Sequence, residues 1–133
     1  LICNQDGTEI AAIHAGWRGL ADGIIKETLK RLQTPPEQLM VWLGPAIGPD
    51  AFTVNETIQQ HFIQRLPAFK SGFTLANNEM KANLYTLADI ELQHLGVSMV
   101  YGGDQCTYND SRFFSYRRDN KITGRMASII VMH

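Results

Sequence analysis

His14 ends the apolar run Ile10-Ala11-Ala12-Ile13 and is followed at once by Ala15-Gly16-Trp17-Arg18-Gly19. An imidazole titrates near neutral pH and is a common metal ligand. A guanidinium forks onto phosphate or carboxylate. The two glycines let the backbone turn tightly and approach a ligand closely. The stretch falls where strand-like alternation gives way to helical periodicity, a junction whose N–H groups and dipole favour anions. His14 is therefore the candidate catalytic residue, with Gly16, Trp17 and Arg18 as candidate substrate-binding residues. The glycine spacing matches neither a Walker loop nor a dinucleotide loop. The plainer alternative is a satisfied histidine at a strand end.

A second cluster lies in GGDQCTYNDSRFFSYRRDNKITGR. Arg112, Arg117, Arg118 and Arg125 are interleaved there with Tyr108, Phe113, Phe114 and Tyr116. Guanidinium groups suit an anionic substrate and aromatic faces suit a planar base. A solvated edge strand with a few salt bridges is the alternative. Cys106 follows Asp104 but has no histidine near it in sequence, so a small buried hydrophobe is the simpler reading. His61 and His94 sit beside the apolar stripes of their helices, and His133 is the last residue. None has the spacing of a self-contained metal site. GPAIGP, residues 44–49, is either loop punctuation or the shaper of a pocket mouth.

These residues need a scaffold. The segments LIC and EIAAIHA flank an Asp6-Gly7 turn and predict a hairpin. From about Gly19 to Gln33 the apolar positions Leu20, Ile24, Ile25, Leu29 and Leu32 fall on one arc of a helix that Pro35-Pro36 ends. MVWL is a short buried strand. Asn55 is a predicted N-cap for a helix reaching about Leu66, and a third helix runs from about Leu84 to Leu95 with Gly96 as its stop. A minor strand is expected around FTL. VSMVY, a short extended piece in RFFSYRR, and a last strand in RMASIIVM complete the reading. Mixed strands and helices without repeats give an α/β class, with helices covering sheet faces.

The 133 residues fit one domain or a large part of one, and 44% apolar with 19% charged residues fits a packed core. A net charge of -1 gives no electrostatic case for nucleic acid or an anionic membrane. No apolar run approaches the roughly 20 residues that span a bilayer. Cys3 and Cys106 read as reduced thiols of a cytoplasmic protein with no leader pattern. The first residue, Leu1, already lies in an apolar strand. The expectation is a fragment, with residues 1–133 forming the C-terminal part of a single domain whose N-terminal part is missing.

HAGWRGL, then WLGPAIGP, then GGDQCTY…FFSYRRD…TGRMAS together resemble the signature blocks of the YfiH family, in family order from Leu1 to the C-terminus. That family is also called laccase-domain or polyphenol-oxidase-like, and is described as purine nucleoside phosphorylases. The resemblance implies a layered α/β/β/α sandwich with mixed sheets. It implies one zinc held by two histidines and a cysteine. It implies phosphorolysis of adenosine, inosine and methylthioadenosine, with adenosine deaminase activity; peptidoglycan-precursor editing and copper-dependent phenol oxidation have also been proposed. Carried over residue by residue, His14 matches the family's last metal ligand. The other two ligands belong to V-H-G and D-C-L-P elements upstream of Leu1. Cys3 lies after the ligand cysteine and does not match it, and Cys106 in the CTY block is not a ligand position.

A zinc with three protein ligands keeps one position open, the arrangement of a catalytic site. From residue type and position, Arg18, Arg117 and Arg118 are the expected phosphate clamps, and an aromatic of FFSY is expected against the purine. Multi-copper chemistry needs many imidazoles, commonly in H-x-H pairs. The four histidines here stand singly, so a true laccase is not expected. The expected partners are purine nucleosides, phosphate and the missing N-terminal segment. The competing expectations are a hydrolase editing peptidoglycan precursors and a truncated, non-catalytic fragment.

Overall fold

The computed structural model describes residues 1–132. Two strands, β1 (Ile2–Asn4) and β2 (Ile10–Ala11), form the hairpin that Asp6-Gly7 predicts, with Gly7 at φ +68°. Asn4 is buried and secures the turn. Its Oδ1 accepts from the backbone N–H of Thr8 at 2.8 Å and of Glu9 at 3.0 Å, while its Nδ2 donates to the Thr8 and Thr34 hydroxyls. β1 also pairs antiparallel with β3 (Leu39–Leu43), and β3 pairs in parallel with β7 (Met99–Gly102), giving the order β2-β1-β3-β7. A parallel neighbour requires a long crossover. That crossover carries a second antiparallel sheet, β4-β6-β5, from Thr53–Val54, Glu79–Ala82 and Phe73–Ala76. The mixed α/β class holds, with two sheets. The FTL strand is present as β5, whereas β4 and β6 were not anticipated.

The single helix expected over residues 19–33 is two short ones, α1 (Trp17–Ala21) and α2 (Ile24–Leu29). Gly23 between them takes φ +84°, a left-handed conformation that cannot continue a helix. The amphipathic arc is nevertheless buried: Leu20, Ala21, Ile25 and Leu29 all lie in the core. The other two helices match expectation. α3 (Glu56–Arg65) has the Asn55 side chain accepting from Ile58 N–H at 3.0 Å, and α4 (Leu84–His94) is capped by Asn83. Phe62 stacks edge-on against Phe69 and Phe73 at 5.3 and 5.6 Å between ring centres, joining α3 to the second sheet. Arg65 donates to both Glu91 carboxylate oxygens, at 2.7 and 3.0 Å, and to Leu20 O at 2.7 Å, tying α3, α4 and α1 together.

Two expectations near the C-terminus need correction. RFFSYRR is not extended; residues 107–123 wind into successive turns around the Arg118 side chain. Residues 125–132 form no strand and pair with no described residue.

Candidate functional site

A cleft of about 640 Å³ opens between the β3 end of the first sheet, the β2–α1 junction and the C-terminal segment. Its floor is apolar and reaches the core residues Leu20, Ile25, Val41 and Leu92. Its mouth carries His14, Gly16, Tyr85, Phe114, Tyr116 and Arg125. His14 sits in the unpaired stretch between β2 and α1 and is exposed. Gly16 serves it directly: a Cβ there would stand 3.2 Å from His14 Nε2, so the missing side chain leaves room for the ring. Gly124 does the same for Phe114, since a Cβ would lie 2.6 Å from the ring.

The predicted residues divide by position. His14 and Gly16 line the cleft. Trp17 does not line it; its indole packs against the core, with the Arg18 guanidinium stacked 4.8 Å above it. Arg18 is exposed and does not line the cleft either. Arg117 lies over the Phe52 ring at 5.2 Å and donates to Thr53 O, next to the second sheet. Arg118 donates to the carbonyls of Thr107, Tyr108, Asp110 and Phe113 and pairs with Asp119. Its donors thus fold the loop. Neither Arg117 nor Arg118 lines the cleft.

Arg125 is the guanidinium in the cleft, stacked 5.4 Å from the Tyr116 ring. It donates otherwise to the Thr123 and Gly124 carbonyls of its own segment. The sequence placed Arg125 among four arginines without separating it from them.

Tyr85 escaped sequence reasoning, because one tyrosine at the start of a helix carries no spacing signal. Its hydroxyl donates to Gln105 O at 2.5 Å and accepts from Ala46 N–H at 2.8 Å. It therefore locks the GPAIGP loop to the 103–107 loop, and burial raises its phenol pKa. Pro45, Ala46 and Ile47 line the cleft, so GPAIGP shapes the mouth and is more than loop punctuation. Cys106 is held in the same corner: Gly48 N–H donates to its Sγ at 3.1 Å, and Thr107 N–H bonds Ala46 O.

A zinc does not fit this chain's residues alone. Among the described residues no group of three His, Cys, Asp or Glu side chains converges, and of the cleft-lining residues only His14 is a strong zinc donor. His61 points instead to Asp22 at 3.3 Å. His133 lies outside the described residues.

Sequence and structure comparisons agree on relatives. The chain is 47% identical over 131 residues to the purine nucleoside phosphorylase YfiH of Shigella flexneri, covering 98% of this chain and 54% of that protein. It is 46% identical to a purine nucleoside phosphorylase of Haemophilus influenzae, with the same coverage. A crystal structure from Neisseria meningitidis matches 90% of this chain and 50% of its own at TM-score 0.85 and 41% identity. YlmD from Geobacillus stearothermophilus matches at TM-score 0.72 and 31% identity, covering 84% of this chain and 44% of its own. The chain thus spans about half the length of the curated relatives it matches. A family model described as multi-copper polyphenol oxidoreductase laccase, a name that implies a metal, matches residues 1–133, and to that family, with its YfiH-named members, this chain belongs.

Proposed function

We propose that this chain supplies the His14 side of a purine nucleoside phosphorylase site acting on adenosine, inosine and methylthioadenosine, with a related adenosine deaminase activity. One observation carries the reading: an exposed imidazole, a guanidinium and two aromatic rings share the mouth of one cleft in a relative of proteins named purine nucleoside phosphorylase. In phosphorolysis a phosphate oxygen attacks the ribose anomeric carbon while the glycosidic bond breaks, and the purine leaves with the bonding pair and takes up a proton. The Tyr116 and Phe114 rings offer faces for the base. Arg125 in the cleft, and the exposed Arg18 four residues after His14, offer charge-assisted donors to phosphate. The Arg117 and Arg118 side chains are already engaged elsewhere and support the loop that presents Tyr116.

His14 is also proposed as one metal ligand of the complete protein, its companions lying in the half that the longer relatives carry besides the matched region. Without them this chain supplies one donor, and no catalytic step is assigned to the ion here. Two free cysteines, Cys3 and Cys106, support a cytoplasmic setting.

The test is a chimera in which this chain replaces the matched region of the Haemophilus influenzae relative. Phosphate-dependent release of hypoxanthine from inosine is expected from the chimera, with one zinc per chain by elemental analysis and little zinc in the 133-residue chain. Cleavage of peptidoglycan-precursor peptides with inosine untouched would replace the nucleoside reading with the editing hydrolase.

A further inference from the structure

The parallel ladder of β3 and β7 changes where it reaches the cleft. Regular pairing ends with Leu43 opposite Gly102, and Gly103 N–H still donates to Leu43 O at 3.1 Å. The next bridge sets Ala46 opposite Cys106. Residues 44–45 thus face residues 103–105, one more on the β7 side, which makes a bulge. Gly102 and Gly103 allow it, with φ of +77° and +85°. A parallel bridge at Ala46 calls for Thr107 N–H to Ala46 O and Ala46 N–H to Gln105 O. The first bond is made directly, at 2.9 Å. The Tyr85 hydroxyl stands in the second: it accepts from Ala46 N–H at 2.8 Å and donates to Gln105 O at 2.5 Å. A phenol oxygen from α4 is therefore inserted in the main-chain ladder.

The surroundings fit this insertion. The Asn83 side chain accepts from Tyr85 N–H at 3.1 Å, so the first turn of α4 fixes the tyrosine backbone. The ring passes so close to Gly103 that a Cβ there would stand 3.3 Å from its Cδ1. Burial raises the phenol pKa, which keeps the proton available to Gln105 O. Beyond the bridge, Gly48 N–H donates to Cys106 Sγ at 3.1 Å, and a Cβ on Gly48 would lie 2.9 Å from that sulfur. The hydroxyl proton is committed to main chain, so Tyr85 does not serve as a proton donor to a ligand. What it controls is the wall formed by residues 44–47, which lines the cleft together with His14, Tyr116 and Arg125.

We propose that Tyr85 is a positioning residue: its inserted hydroxyl sets the place of the 44–47 wall, and through it the placement of the nucleoside. The substrate half of this rests on the nucleoside reading above; the inserted hydroxyl does not. Without the hydroxyl, Ala46 N–H and Gln105 O either close on each other, which moves the wall, or stay unpaired, which costs stability.

Tyr85→Phe in the chimera tests it, compared with the parent at a temperature where circular dichroism shows both folded. Amides of Ala46 and Thr107 are expected to exchange about tenfold faster, with Val41 in β3 unchanged. The kcat/KM for inosine should fall about a hundredfold, the scale of an ångström-sized misplacement of a group that orients substrate, while the KM for phosphate stays within about twofold. A purely structural tyrosine would lower the melting temperature and leave both constants alone. If Tyr85→Phe does not fold, Cys106→Ala, which removes the Gly48 contact on the same loop, is expected to change exchange and kinetics in the same direction by a smaller factor. Unchanged exchange at Ala46 and Thr107 would overturn the inference, as would faster exchange with an unchanged kcat/KM for inosine. A parent chimera inert toward inosine, with the exchange difference intact, would overturn the nucleoside reading and the substrate half with it, and uphold the inserted hydroxyl.

Discussion

Arg125 and Arg118 are seven residues apart and chemically alike, and their surroundings give them different work. Arg118 is enclosed by carbonyls of residues 107–113 and the Asp119 carboxylate, so its charge is neutralised within the loop. Among the described residues, Arg125 meets an aromatic face and two carbonyls of its own segment, and it lines the cleft. Arg125→Gln in the chimera should therefore raise the KM for phosphate about tenfold or more, the loss of one charge-assisted contact, with little change in melting temperature. Arg118→Gln should lower the melting temperature instead. Steady-state kinetics at varied phosphate and thermal unfolding of both variants separate the two roles; an unchanged phosphate KM in the first would remove Arg125 from the site.

The turns of residues 107–123 depend on an ionised carboxylate. Hydrogen bonds from the Thr123 hydroxyl, the Arg118 side chain and Ser115 N–H hold the Asp119 pKa down to about 2. A carboxyl depressed in the folded state contributes stability that is fully present above its unfolded value, about 3.9, and is lost as pH falls through the folded value. The segment should thus loosen between about pH 4 and pH 2, and Asp119→Asn should loosen it already at neutral pH. Amide exchange of 107–123 against α4 reads this directly, and a segment equally protected at pH 2.5 and 7 would contradict it. These turns also mark the limit of what the sequence disclosed. Asn55 and the Asp6-Gly7 pair act through neighbours in sequence, so the α3 cap and the hairpin were legible; the third helix was read with Gly96 as its stop, and its Asn83 cap emerged only in the structure. Gly23 breaks the first helix where periodicity alone runs on, and a Cβ there would approach Arg65 Nη1 to 3.3 Å. The winding of 107–123 follows one long side chain reaching back over eleven residues, which neither period nor propensity encodes. His14 and Gly16 could be singled out from the sequence because three residue types converge in five positions, and both line the cleft. Tyr85 and the separate fates of the arginines needed tertiary structure.

Across the molecule, α1, which follows the His14 stretch, is tied to α3 and α4 by a buried ion pair as well as by core packing. Glu91 is 2% exposed, and its partner Arg65 also holds Leu20 O at the end of α1. Glu91→Gln leaves the guanidinium against a neutral amide and should cost roughly 3 kcal/mol, typical of breaking a buried pair, visible as a lower urea midpoint with unchanged slope. A cost within experimental error would show that the α1–α3–α4 junction stands on apolar packing alone. Leu20 and Leu92 of that junction, β3, and Tyr85 with the GPAIGP loop it locks line the same cleft as His14. The most direct test is His14→Ala in the chimera, read as kcat/KM for inosine with phosphate. A fall of at least about a hundredfold, the low end for a residue acting on the proton or the reacting group, is predicted, with the melting temperature within a few degrees of the parent. Phosphorolysis that continues at the parent rate would contradict the assignment of the cleft as the site.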